Sequence, residues 1–233
     1  MTVRNGPRPD TVRPGPDRIV RLPGVYRPQE DTHLLCAALA SLTLPRGSRV
    51  LDYCTGSGAV AVAAARRGAD RVVAVDVSVR AAVSAWTNAR LRRLPIEVRR
   101  GGLDVARRCG PYDVVLANPP YVPVGAGDSA RRSGCWDAGP DGRDVVGPLC
   151  REARALLRPG GVLLIVHSEV TDPERTLAEL RANGVRAGRV RRALIPFGPV
   201  MRSRAAALTA HGLIAAGQAW EEVVVIRGDR PAG

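Results

Sequence analysis

Four consecutive residues, Asn118-Pro119-Pro120-Tyr121, close the apolar run Tyr112-Asp113-Val114-Val115-Leu116-Ala117, which reads as a β-strand. The side-chain carbonyl of Asn118 and the main-chain carbonyl of Pro119 are both hydrogen-bond acceptors, and the two prolines fix the turn that aims them. An amide or exocyclic amine keeps its nitrogen lone pair in resonance. Two acceptors that hold its N–H groups out of the conjugated plane free that pair to attack a sulfonium methyl group. Tyr121 supplies a ring to pack on such a planar acceptor group. The chemistry would rest on alignment and hydrogen-bond acceptance, with no metal and no covalent intermediate. Asn118, Pro119 and Tyr121 are therefore the catalytic candidates, and Pro120 joins them on the substrate side.

A second group lies upstream. Val50-Leu51-Asp52-Tyr53-Cys54-Thr55-Gly56-Ser57-Gly58 places a Gly-rich turn between a strand and a helix, where Gly56 and Gly58 let the backbone approach a ligand closely. Asp76 ends the next strand 20 residues after Gly56, the place from which a carboxylate accepts both hydroxyls of a ribose. Together these describe a nucleoside-binding crevice. Gly56-x-Gly58-x-x-Ala61 also satisfies a dinucleotide fingerprint, so the turn alone leaves two cofactor classes open. Asp52 tilts the choice: an acid there repels a pyrophosphate and suits the ammonium of a methionine moiety.

The elements that must position these groups follow a strand, turn, helix rhythm. A helix over residues 33–42 precedes strands at 49–53, 71–75, 96–100, 112–117 and 161–167, with helices at 59–67, 79–94 and 144–158 between them. The stretch after residue 100 reads as a short irregular piece. Asp172-Pro173 caps a further helix that Gly184 ends, and strand 185–193, helix 201–211 and strand 221–227 complete the chain. That order implies a parallel, right-handed βαβ sheet. Residues 1–20, rich in Pro, Arg and Gly, read as a mobile basic tail before one domain over 21–230.

With 45% apolar residues in 233, the chain can bury one sizeable core. No apolar stretch is long enough to span a membrane and the N-terminus lacks the apolar core of a secretion signal, so the expectation is a cytoplasmic protein. The net charge of +13 suits proximity to RNA or the ribosome. All 35 basic residues are Arg, however, and several fall on exposed helix faces, which weakens that argument. The five cysteines carry no metal-ligand spacing and read as reduced thiols. His33, His167 and His211 read as core or surface residues, Glu221 and Glu222 as a solvated edge, and Trp136 as part of a substrate lid.

The chain resembles the HemK/PrmC family of release-factor glutamine methyltransferases, in particular a short branch without the N-terminal helical domain. The resemblance runs from about residue 19 to residue 227. It rests on Val25-Tyr26-Arg27-Pro28-Gln29-Glu30-Asp31-Thr32, on Leu51 to Gly58, on Val75-Asp76, on Asn118 to Pro123 and on Trp136 to Asp144. It implies a Rossmann-like class I methyltransferase: an α/β fold with a seven-stranded, mostly parallel sheet whose last strand is antiparallel. The cofactor implied is S-adenosyl-L-methionine, held by Thr32, Asp52, Cys54, Gly56, Gly58, Asp76, Val77, Leu103, Asp104 and Asn118. The substrate implied is a class I peptide-chain release factor, and eukaryotic relatives add a small partner protein that nothing in this sequence marks. Two departures stand out. Cys54 occupies a usual Gly position, and Gly101-Gly102-Leu103-Asp104 replaces Gly-Asp-Leu, so that either Asp104 meets the adenine after a local shift or cofactor binding weakens. N-methylation of a small metabolite or peptide natural product, adenine methylation in nucleic acid, and a non-catalytic cofactor-binding role remain as alternatives.

Overall fold

The structure, a computed structural model, describes residues 19–123 and 138–233. The tail expected over residues 1–20 falls almost wholly outside them, as does Trp136 with its lid reading. Seven strands, β1 (Arg49–Tyr53), β2 (Arg71–Asp76), β3 (Ile96–Arg100), β4 (Tyr112–Ala117), β5 (Leu157–Ser168), β6 (Arg186–Pro196) and β7 (Trp220–Asp229), form one sheet in the order β3-β2-β1-β4-β5-β7-β6. Only β7 runs antiparallel to its neighbours, β5 and β6. The strand order reverses between β1 and β4, and a crevice therefore opens at their carboxyl ends.

Alternation along the strands decides the layers, because successive side chains point to opposite faces. On one face Val50, Val72, Val114, Leu116 and Val225 pack with α1 (Glu30–Ala40) and α2 (Ala59–Arg66). On the other, Leu51, Val73, Val115, Ile165 and Val224 pack with α5 (Val146–Leu156) and α6 (Pro173–Ala182). Helix α3 (Val79–Leu91) lies along β2 and β3, and α7 (Pro199–Ala210) follows β6. Asp172 accepts from the Arg175 N–H at the start of α6, the cap read from the sequence, and Ser78 accepts from the Ala81 N–H at the start of α3.

Three expectations need correction. The piece after residue 100 is a helix, α4 (Leu103–Arg108), too short to show an apolar period. Strand β5 begins at Leu157, through Pro159-Gly160-Gly161, where the sequence reads as a turn: Tyr112 of β4 is in register with Leu157, and pairing resumes at Val114 with Val162 after a register shift. The last strand, β7, is an interior strand, and its first half is not a solvated edge: Glu221 is buried, while Glu222 is half-buried.

Asn88 of α3 ties the incoming chain to the Gly-rich turn. Its Oδ1 accepts from the Val20 N–H at 3.0 Å, and its Nδ2 reaches the carbonyls of Val20 at 2.7 Å and Ser57 at 2.9 Å. Asn88→Ala leaves the buried Ser57 carbonyl unpaired, while the groups of exposed Val20 can turn to water, and is expected to lower unfolding free energy by about 1–3 kcal/mol. The denaturant midpoint measures it; a change within ~0.5 kcal/mol would show that this junction carries little of the fold.

Candidate active site

The crevice at the β1/β4 switch point is a cleft open to solvent, lined by the turn after β1 and by residues after β4. One wall is the turn after β1. Cys54 there has φ 60°, the left-handed region that favours Gly, which explains in backbone terms why a Gly suits this position. Gly58 has φ 82°, and a Cβ on it would come within 3.0 Å of the Ala85 Cα, so α3 can pack against the turn only with Gly present. Asp76, the last residue of β2, is buried on the cleft wall and joins the turn to the start of α3: its Oδ2 accepts from the Gly56 N–H and its Oδ1 from the Ser78 N–H, each at 2.9 Å. Burial pushes its carboxyl up, and these backbone donors pull it back down.

The opposite wall is Asn118 to Tyr121, carried at the carboxyl end of β4. The Asn118 Nδ2 donates to the Thr32 hydroxyl at 3.2 Å. Among the described residues no donor meets its Oδ1, so the carbonyl end of the amide is the uncommitted one. Two further elements brace this turn. Arg204 of α7 donates to the Val122 carbonyl at 2.7 Å, and Gly142 packs so closely that a Cβ would lie 2.4 Å from the Tyr121 carbonyl oxygen. Arg143, itself buried, then fastens the same segment to α6 through the Thr171 carbonyl, Thr176 and Glu179.

Thr32, Cys54, Gly56, Asp76, Asn118, Pro119, Pro120 and Tyr121 thus all face one cleft. Asp52 does not. It lies beneath the turn, 1% exposed, with its Oδ2 accepting from the Thr55 hydroxyl at 2.5 Å and the Ala61 N–H at 2.9 Å, and burial pushes its carboxyl up to about 7. Gly58 sits at the left-handed N-terminus of α2, and the Val77 side chain points to solvent, 56% exposed. Leu103 and Asp104 are not brought to the cleft either. Because α4 starts at Leu103, Asp104 falls in its first turn and pairs with Arg108 at 3.0 Å across one exposed helical turn. The shift that would carry Asp104 toward an adenine is absent from this structure.

Three cleft residues escaped the sequence reading. Tyr26 and Asp31 lie inside the segment that carries the family resemblance, but their residue types alone gave neither a role. In the structure Asp31 is buried, with its Oδ2 accepting from the Tyr26 hydroxyl at 2.7 Å and the Tyr121 hydroxyl at 3.5 Å. Glu221 is the third. It had no signal beyond being an acid at the head of an apolar strand. His167 is a core residue: it is fully buried, its Nδ1 meets Thr171, and burial pulls it down to about 4.

This sheet order, with its single reversed strand and a ligand cleft at the switch point, is that of the class I Rossmann-like methyltransferases. The methyltransferase small domain model matches residues 18–133. A relative from Methanocaldococcus jannaschii, named as a candidate protein N5-glutamine methyltransferase, is 32% identical over 181 residues, which cover 77% of this chain and 90% of the relative. A release factor glutamine methyltransferase from Deinococcus radiodurans is 39% identical over 171 residues, 70% of this chain and 60% of its own length. The chain therefore spans nearly all of the archaeal relative but about six-tenths of the bacterial one. Among solved structures, the Mtq2–Trm112 complex of E. cuniculi, described as methylating the termination factor eRF1, matches with a TM-score of 0.60 at 24% identity, covering 88% of this chain and 98% of that one. The chain belongs to the protein-glutamine N-methyltransferase family. Among the described residues no helix is long and apolar enough to cross a membrane.

Proposed function

We propose that this protein transfers a methyl group from S-adenosyl-L-methionine to the side-chain amide nitrogen of a glutamine in a class I peptide-chain release factor, in the cytoplasm. One observation carries the reading: Asn118 is held by Thr32 with its carbonyl end free, in the same cleft as Asp76 and the Gly-rich turn. The residues present fit the cofactor. Asp76 spends its oxygens on two backbone N–H groups yet retains lone pairs for ribose hydroxyls, and a Cβ on Gly56 would meet nothing closer than Tyr26 at 4.0 Å, which leaves the turn open to a ligand. When bound, S-adenosyl-L-methionine supplies an electrophilic sulfonium methyl group.

The chain's own residues do the rest. Asp76 holds the ribose, Thr32 and Cys54 face the cofactor, and Asp52 acts from beneath by fixing Thr55 and the first turn of α2. Asn118 Oδ1 and the Pro119 carbonyl accept the two amide N–H bonds and turn the nitrogen lone pair out of conjugation, toward the electrophile. Tyr121 flanks the planar amide. Proximity and preorganised acceptors of this kind supply the rate.

The test is methyl transfer from labelled S-adenosyl-L-methionine to a purified class I release factor. Label is expected on the intact factor and is lost when the glutamine of its Gly-Gly-Gln loop is replaced by alanine. The need for a second small protein, as in the E. cuniculi complex, is read from the same assay run with the isolated chain. An unlabelled factor, beside a methylated amine or amide metabolite from the same cells, makes this a metabolite enzyme instead.

A further inference from the structure

Glu221 is a buried acid on the cleft wall that the steps above leave idle. It heads β7, is 3% exposed, and its Oε2 has no hydrogen-bond partner among the described residues. An oxygen removed from water and left without a donor is unfavourable, and a fold that retains one in a ligand cleft has a reason for it. The groups facing it are few. The Ser168 hydroxyl of β5 borders it but donates to the Glu222 carbonyl at 3.5 Å, and Asp31 of α1, Tyr26 and Tyr121 lie near enough to act on it electrostatically. None of these is a cation.

The substrate side of the cleft is correspondingly rich in acceptors. Asn118 Oδ1 and the Pro119 carbonyl accept, and both tyrosine hydroxyls are turned to Asp31. A primary amide brings two N–H donors and one carbonyl oxygen, and that oxygen also needs a donor once it is buried. We propose that Glu221, as a carboxylic acid, donates its O–H to the carbonyl oxygen of the substrate amide and so sets the amide plane across Asn118. It holds the substrate without touching the reacting nitrogen, and it selects an amide, which brings a carbonyl oxygen, over an amine, which does not. The assignment rests on the amide-methylation reading.

Burial, with the charge of Asp31 beside it, pushes Glu221 up to about 7. The sign follows: below that pH the acid form and its donor are present, and as pH rises through it the carboxyl ionises, loses the donor and repels the amide oxygen. The experiment measures kcat and KM for the release factor from about pH 6 to about pH 9 in wild type, Glu221→Gln and Glu221→Ala, beside binding of the factor to each protein with S-adenosylhomocysteine. Wild type is expected to lose kcat/KM above about pH 7, chiefly through KM. Glu221→Gln carries an N–H donor at every pH and gives a profile without that limb. Glu221→Ala lowers kcat/KM by about tenfold at low pH, again through KM. A descending limb that persists in Glu221→Gln, or an unchanged KM in Glu221→Ala, overturns the Glu221 assignment alone. A wild type that neither binds nor labels the factor overturns the amide reading and this assignment with it.

Discussion

Asn118→Ala is expected to lower kcat by at least ~100-fold while S-adenosyl-L-methionine affinity stays within several-fold, the scale set by loss of one preorganised polar contact. The asymmetry follows from where Asn118 sits. Its Nδ2 is engaged by Thr32, so the side chain is already fixed before substrate arrives, and in the proposed mechanism its Oδ1 meets the acceptor amide rather than the ribose. The turn that carries it is braced by Arg204 and by the close packing of Gly142, and both persist in the alanine variant. Ground-state binding of the cofactor, which depends on Asp76 and the turn after β1, is therefore spared. Single-turnover methyl transfer and calorimetry separate the two quantities. Turnover near the wild-type rate would remove Asn118 from the mechanism.

Much of this cleft was legible in the sequence because its parts are local. A Gly-rich turn after an apolar strand, an acid at the end of the next strand and Asn-Pro-Pro-Tyr after a third each announce themselves within a few residues, and the βαβ rhythm places their strands side by side. That Asp76 and Asn118 would share one cleft was legible for that reason. Asp104 was misplaced because one unrecognised helical turn decides whether it faces cleft or solvent, and six residues are too few to show a period. Glu221 was misread for a different cause. Whether the head of the last strand is wet depends on its neighbours, and the insertion of β7 between β5 and β6 is a fact of topology that an alternating pattern does not contain. Asp31 likewise acquires its role only when Tyr26 and Tyr121, 95 residues apart in sequence, meet it in space.

The second large effect is expected at Asp76, where alanine should weaken S-adenosyl-L-methionine binding by roughly 1.5–3 kcal/mol, the range of charge-assisted hydrogen bonds. Two losses combine there. The ribose hydroxyls lose an anionic acceptor, and the Gly56 and Ser78 N–H groups lose the carboxylate that holds the turn after β1 against the start of α3. Asp76→Asn restores only part of the second, since a carboxamide keeps the shape and one acceptor oxygen but removes the charge and sets an N–H donor against either the Gly56 or the Ser78 N–H. If the ribose contact dominates, the asparagine variant loses nearly as much affinity as the alanine one although it regains part of the melting temperature that alanine loses. If the turn dominates, asparagine recovers much of the affinity. Calorimetric titration of both variants decides between these, and wild-type affinity in Asp76→Ala would show that the cofactor does not lie across this strand end. Tight binding of NAD in place of S-adenosyl-L-methionine by the unmodified protein would reverse the choice that Asp52 made between the two cofactor classes.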